Sequence, residues 1–388
     1  MFSFPIRWFS SSEILSYLSF MELKERPSVV VGMSGGVDSS VAAALLLEQG
    51  FNVIGITMKT YEYADVGGNI ENEASCCGLG AVNDARMAAA KLDIPHYVVD
   101  FRAEFGKTVI QNFVDEYLKG RTPNPCVICN REIKWGALLK KADALGAQFI
   151  ATGHYARVRF DEAKNRSILS RGSYAEKDQS YALWGISQSA MKRTLFPLGD
   201  KKKPEVRALA ERLGLRNAQK KESFEICFVP DNRYDRFLME RVRNLSEKVT
   251  GGDIVLDGKT VGRHQGYPFY TIGQRHNIGA FGKKMYVKGI DSRTNTLTIG
   301  PDKELYHRSL LAGQINWIGF NGIDGPVRIQ AKVRYKDEAA AATIYPAGDD
   351  KIRLIFEEPK RAVTPGQSVV FYDNDDVAGG GVIEEAGE

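Results

Sequence analysis

A β-branched run, a glycine pair and a strong helix former follow one another without a gap near the amino end of this chain. Ser28-Val29-Val30-Val31-Gly32 has the length and branching of a buried strand. Met33 leads into Ser34-Gly35-Gly36-Val37-Asp38-Ser39-Ser40, and Val41 to Glu48 reads as a helix stopped by Gly50. Glycines let a backbone approach an anion closely. Ser39 and Ser40 put hydroxyls at a helix N-terminus, where unpaired N–H groups and the dipole favour phosphate. Asp38 is the odd member, because a carboxylate repels phosphates unless a divalent cation lies between them. Mg²⁺ is the ion that joins a carboxylate to phosphate oxygens. The bland alternative is an ordinary strand–turn–helix corner. No Gly-Lys-Ser/Thr ending follows, which argues against a Walker-type loop.

Strands and helices alternate from Pro27 to about Thr152. Strand candidates are Ser28–Gly32, Asn52–Met58, His96–Asp100 and Gln148–Thr152, with helices over Val82–Leu92, Phe105–Leu118 and Lys134–Leu145. This order predicts an α/β fold with a doubly wound parallel sheet, whose ligands bind beyond the carboxyl ends of the strands. That edge collects Ser34–Ser40, Met58 and Gly153-His154. Helix Lys203–Leu213, ended by Gly214, closes the domain. Beyond about Ser223 the texture changes to glycines and short alternating runs. Val327 to Tyr335 places Val327, Ile329, Ala331 and Val333 on one face, and Arg328, Gln330, Lys332 and Arg334 on the other. Ala341–Tyr345, Lys351–Phe356 and Ser368–Asp373 are further strand candidates, so a small barrel or sandwich ends the chain. Boundaries fall near Lys220 and Pro301.

A chain of 388 residues has room for two or three domains. Its formal charge of +4 permits nucleic-acid binding through a local patch without demanding it. No apolar run approaches the ~20 residues of a membrane span. An odd number of cysteines, five, argues against a secreted disulfide framework and for a reducing, cytoplasmic setting. Residues 1–26 are unlike the rest. We expect a disordered extension or a mis-assigned start, with Met21 as initiator.

Thr122-Pro-Asn124-Pro125-Cys126-Val-Ile-Cys129-Asn130 is the second informative stretch. Two prolines stiffen a loop that presents a C-x-x-C pair ahead of a basic helix. Such a pair serves as a zinc or cluster half-site, a redox dithiol, a thiolate pair, or simply as buried structural cysteines. A second C-x-x-C pair, which structural zinc usually needs, is missing; the others are Cys76-Cys77 and Cys227, the latter in an apolar setting where an inert thiol is the default. Lys177-Asp178-Gln179 reads by itself as a polar surface loop. Gly262 to His276 is either an RNA-facing hairpin or a glycine-rich turn with satisfied histidines.

Ser34–Ser40 resembles the PP-loop of the ATP pyrophosphatases. Together with Thr122–Asn130 and Glu222–Pro230 it resembles the bacterial tRNA-specific 2-thiouridylases, from about Pro27 to the C-terminus. The resemblance implies a PP-loop ATP-binding domain over 27–220, a small central domain over 221–302 and a tRNA-contacting β-barrel over 303–388. It implies ATP contacts at Gly32, Met33, Ser34, Gly35, Gly36, Val37, Asp38, Ser39, Met58 and Gly153. Asn124, Pro125 and Cys126 would meet an extruded target base, and Lys177, Asp178, Gln179, Arg334 and Tyr335 would contact tRNA. Base extrusion fits the chemistry, because a uridine carbonyl inside an anticodon stack is out of a cysteine's reach. Cys129 would be the nucleophile and Cys227 the persulfide carrier, with Asp38 at the adenylation step.

The implied activity is ATP- and Mg²⁺-dependent adenylation of the wobble uridine, then replacement of its 2-oxygen by sulfur. A cysteine desulfurase or a relay protein would supply that sulfur. The family has aspartate where this chain has Cys126. Cys126, Cys129 and Cys227 are therefore also three candidate corners of a 4Fe–4S cluster, the rival to the persulfide route. Two other functions compete: a PP-loop ligase or amidotransferase adenylating a small carboxylate, and a non-catalytic nucleotide sensor that binds RNA.

Overall fold

The computed structural model describes residues 26–62, 79–220, 226–348 and 350–387. Residues 1–25, the Cys76-Cys77 pair and Glu222–Glu225 lie outside the described residues. Five parallel strands form the first sheet, in the order His96–Asp100, Asn52–Lys59, Ser28–Gly32, Phe149–Ala151, Thr194–Leu195. Val29, Val30 and Val31 are fully buried, as a central strand covered on both faces requires. One face packs on helices Val37–Glu48 and Lys203–Arg212 through Val41, Leu46, Val206 and Ala210. Against the other face lie two long helical stretches, 102–118 and 125–144, contributing Phe105, Phe113, Ile133 and Leu138.

Both of these stretches contain a π-helical insertion, at Gly106–Ile110 and Cys129–Ala137. The second helix begins earlier than the expected Lys134. Asn124 caps it, accepting from the Val127 N–H at 3.4 Å, and Pro125 takes the first helical position, where its missing N–H costs nothing. Cys126 and Cys129 therefore ride on the opening turns of a helix, and the two prolines frame its start rather than a free loop. Thr194–Leu195 escaped the sequence reading, being only two residues long.

Helices Tyr234–Arg241 and Leu245–Val249 introduce a second body, whose four strands run Tyr286–Asp291, Thr296–Gly300, Asp253–Leu256, Lys259–Arg263. The third body is a closed six-stranded barrel. Tyr306–Trp317 pairs with both Lys351–Arg361 and Asp376–Gly387, and closure leaves no free edge among the six. The alternation expected from Val327 holds: Ile329, Ala331 and Val333 point inward. The strand, however, ends at Lys332, and Arg334 and Tyr335 lie in the turn beyond it, where Asp337 N–H donates to the Arg334 carbonyl.

One hairpin crosses the expected domain boundary. Ala156–Asp161 and Arg166–Arg171 leave the first domain and join the barrel's sheet, with Ser170 opposite Asp376. A single apolar cluster accordingly runs from Val30 through Phe113 and Phe237 to Tyr372, joining the three bodies.

Candidate active site

The turn after the first strand is built by its own side chains. Gly35 has φ +73°, and a Cβ there would fall 2.1 Å from the Ala81 carbonyl oxygen, so only glycine fits. Ser39 and Ser40 hydroxyls both donate to the Gly36 carbonyl at 3.1 Å, and the Ser34 N–H donates to Ser39 Oγ at 3.2 Å. These serines therefore shape the loop, while the first-turn N–H groups of Val37, Asp38 and Ser39 remain the anion-facing donors. Asn217, from a later turn, donates to the Gly35 carbonyl and to Ser40 Oγ. Gly153 ends its strand against the same helix start: a Cβ there would lie 2.7 Å from Ser39 N. Beside them, Gly32 faces Thr152 and the methyl of Met58. Gly32, Met58 and Gly153 thus lie beside the Ser34–Ser39 turn and the helix start.

Asp38 is placed otherwise than expected. Its two oxygens accept from Lys203 Nζ at 2.7 and 2.8 Å, and Tyr155 OH donates to it at 2.8 Å. Lys203 is buried. As arranged, the Asp38 carboxylate is taken up by an ammonium and a hydroxyl rather than left open to a divalent cation. Lys203 carried a readable signal: a lysine in a helix's first turn runs against the dipole and needs another reason to be there.

Cys126 is exposed, whereas Cys129 and Cys227 are half-buried against the one apolar cluster. Phe228 anchors the Cys227 segment, its ring edge-on to Phe113 at 5.1 Å and to Phe105 at 5.6 Å. Tyr61, just past the second strand, donates its hydroxyl to the Cys227 carbonyl. Among the described residues no three His, Cys, Asp or Glu side chains gather at metal-binding spacing.

The thiol helix meets the nucleotide edge through Lys134, whose Nζ is 3.3 Å from His154 Nε2; His154 Nδ1 is 2.7 Å from Thr152 Oγ1. Trp135 and Phe196 enclose that imidazole, and desolvation with the Lys134 charge holds its pKa well below the usual histidine value. The barrel steadies the thiol helix from the other side. Gln367 donates to the carbonyls of Thr122 and Pro123, at 3.1 and 2.8 Å, and Thr122 N–H donates to the Pro365 carbonyl.

The residues expected to touch tRNA border this region. Tyr335, exposed, packs edge-on to Tyr181 at 6.2 Å, and Tyr181 in turn donates its hydroxyl to the Ser368 carbonyl at 2.8 Å and lies in the field of Arg334. Asp178 and Gln179 act inward: Asp178 accepts from the N–H groups of Gly172 and Ser180, and Gln179 Oε1 accepts from the Tyr155 N–H. Lys177 is half-buried at the end of a short 3₁₀ turn. The three-charge face expected on the barrel is thinner in the structure. Arg328 pairs with Glu357 at 2.6 Å, and burial lowers the Lys332 pKa. His264 proves to be a satisfied core histidine, accepting from the Gly266 N–H and bonded to the Asn295 carbonyl.

Three family descriptions match the chain in succession: tRNA methyl transferase HUP domain over 27–231, tRNA methyl transferase PRC-barrel domain over 237–301, and aminomethyltransferase beta-barrel domain over 307–383. The tRNA-specific 2-thiouridylase MnmA of Salinibacter ruber is 52% identical, spanning 94% of this chain and 96% of that protein. The chain belongs to the tRNA-specific 2-thiouridylase family. Further 2-thiouridylases, from Cytophaga hutchinsonii and Acetivibrio thermocellus, are 48% and 49% identical over 94% and 92% of this chain, and 99% of each relative. Lys134, Tyr155, Lys203, Asn217 and Gln367 bond residues of this region and were not among the residues expected from the sequence. No described helix is long and apolar enough to cross a membrane.

Proposed function

We propose that this protein is a tRNA sulfurtransferase that converts the wobble uridine to 2-thiouridine at the expense of ATP. The observation that carries this reading is the shared edge: the helix of Cys129 reaches the Gly153-His154 strand end through Lys134, and that strand end abuts the Ser34–Ser40 turn. That shared edge supports a reaction in which nucleotide and thiol act on one bound substrate.

A uridine carbonyl is a poor electrophile, and binding alone does not change that. In the proposed sequence its 2-oxygen attacks the α-phosphorus of ATP and pyrophosphate leaves. C2 then carries an adenylate leaving group. The terminal sulfur of a Cys227 persulfide adds to C2, AMP departs with the former oxygen, and a C2–S–S–Cys227 linkage remains. Cys129 thiolate attacks the Cys227 sulfur, expelling 2-thiouridine and forming a Cys129–Cys227 disulfide, which an external dithiol reduces. First-turn N–H groups of Val37–Ser39 hold the phosphates, while Asn124, Pro125 and Cys126 face the base. Lys177 and the Arg334-Tyr335 turn provide charge and a stacking ring for the surrounding RNA. A cysteine desulfurase or a relay protein delivers the sulfur, in the cytoplasm where its tRNA is found.

The test is nucleoside mass spectrometry of a tRNA transcript incubated with the full chain, magnesium ATP, a dithiol and a cysteine desulfurase with free cysteine, which delivers sulfur already at the persulfide level. Stoichiometric 2-thiouridine and AMP are expected. Pyrophosphate release that ignores tRNA and responds instead to a small carboxylate would move the protein to the ligase class.

A further inference from the structure

Lys134 is a half-buried cation whose only described partner is neutral. Among the described residues no carboxylate pairs with it, although such pairs are frequent elsewhere on this chain, Lys203 with Asp38 and Lys220 with Asp84 being two nearby. Its ammonium donates to His154 Nε2, which is free to accept because Nδ1 faces Thr152 Oγ1. A partly desolvated charge without a counter-charge is better satisfied when an anion joins it in the occupied site.

Its location says which anion. Lys134 stands one i→i+5 turn after Cys129, on the same π-helical stretch, a deviation that in helices is frequent at functional sites. His154 and Gly153 end the strand that touches the helix start at Asp38 and Ser39. Lys134 is therefore aimed at the carboxyl edge of the sheet, between the thiol and the phosphate-binding turn. We infer that the Lys134 ammonium binds phosphate oxygens of ATP and neutralises the charge that builds there as the uridine oxygen displaces pyrophosphate, with His154 as its positioning residue. This rests on the ATP-dependent reading above. The competing duty, holding Cys129 as a thiolate, predicts a different defect: sulfur transfer would fail while adenylation continued.

The experiment compares wild type, Lys134→Gln, Lys134→Arg and His154→Gln as full-length protein with tRNA transcript and magnesium ATP. It reads pyrophosphate release, tRNA affinity, thermal unfolding and the pH profile of cysteine alkylation. Lys134→Gln is expected to slow tRNA-dependent pyrophosphate release about 10²- to 10³-fold, the scale for losing one preorganised charge-stabilising donor. Lys134→Arg should recover part of the rate. His154→Gln should lower kcat about tenfold, the milder loss expected when a positioning partner is removed. Thermal unfolding and tRNA affinity should stay near wild type in all three. The inference fails if Lys134→Gln releases pyrophosphate at the wild-type rate, or if it does so while its alkylation profile moves to higher pH, which would assign Lys134 to the thiol. It fails too if Lys134→Gln and Lys134→Arg lose activity only in step with unfolding. A wild-type protein that releases no pyrophosphate with tRNA would instead overturn the ATP-dependent reading itself, and this inference with it.

Discussion

The nucleotide turn and the thiol helix are neighbours assembled in opposite ways. Ser34–Ser40 is closed mainly by bonds within twelve residues, strand to turn to helix, with Asn217 as an outside brace. The Cys129 helix takes its position from afar: Gln367 from the barrel, Tyr181 beside Asn124, and the Cys227 segment anchored by Phe228. A phosphate site can be prebuilt because phosphate always has one shape. A site that must admit an extruded base, and then bring a second cysteine to it, draws on parts of several bodies.

The sharpest way to break this comparison is to separate the two half-reactions. Cys227→Ala and Cys129→Ala should each cut 2-thiouridine formation on the order of 10⁴-fold, the scale for removing a nucleophile. Both should leave tRNA-dependent pyrophosphate release within a few fold of wild type. Thiolation by Cys227→Ala at the normal rate would end the persulfide assignment. Gly35→Ala should do the reverse and more. Its Cβ would meet the Ala81 carbonyl at a left-handed φ, so a loss of about 2–4 kcal/mol of stability is expected along with adenylation. Denaturant midpoints and pyrophosphate release check both.

Lys203→Met sharpens the account of Asp38. Removing the buried partner leaves the carboxylate without its cation, a cost of about 3 kcal/mol. The Asp38→Asn, Lys203→Met double variant should regain much of that stability. If it regains none, the pair is not coupled. Adenylation should be lost in both, since Asp38 and its partners also fix the helix start.

This contrast also explains what could be read from the chain beforehand. Ser28 to Glu48 was legible because its strand, turn and helix are contiguous and each obeys a local rule. Ile329, Ala331 and Val333 were legible for the same reason, by simple alternation. Lys203, Asn217 and Gln367 reach the site from 165, 177 and 244 residues away along the chain, and no local pattern announces such a bond. The pairing of the Ala156–Arg171 hairpin with the barrel is equally non-local. Helix start at Pro125 was open to inspection, since asparagine before proline is a cap signal, but the C-x-x-C spacing drew attention to a loop instead. Arg328 misled in the other direction. Its charge was visible and its neutralising Glu357, two strands away, was not.

Cutting the barrel's hold on the thiol helix tests the long-range half more gently. Gln367→Ala removes two hydrogen bonds to the Thr122 and Pro123 carbonyls, about 1–2 kcal/mol together. Thiolation should fall several-fold while pyrophosphate release holds. An equal fall in both would mean that the barrel braces the nucleotide turn as well.

The smallest effect belongs to the histidines, and it tests both regions at once. Burial depresses the pKa values of His96, His154, His264 and His307, so each is neutral when folded at pH 7. Unfolding restores an ordinary value near 6.5 to each. Below that pH the unfolded chain binds protons that the folded one refuses, so stability declines as pH falls from about 6.5 until each folded-state pKa is reached. The slope approaches about 1.4 kcal/mol per pH unit for each histidine still neutral. Above pH 7 these groups contribute no pH dependence. His154→Gln should flatten the acid slope of the nucleotide domain and His264→Gln that of the central domain, read as urea midpoints between pH 5 and 7. If His154→Gln leaves the slope unchanged, the imidazole beside Lys134 is not held neutral, and the lysine's partner is a cation that ought to repel it.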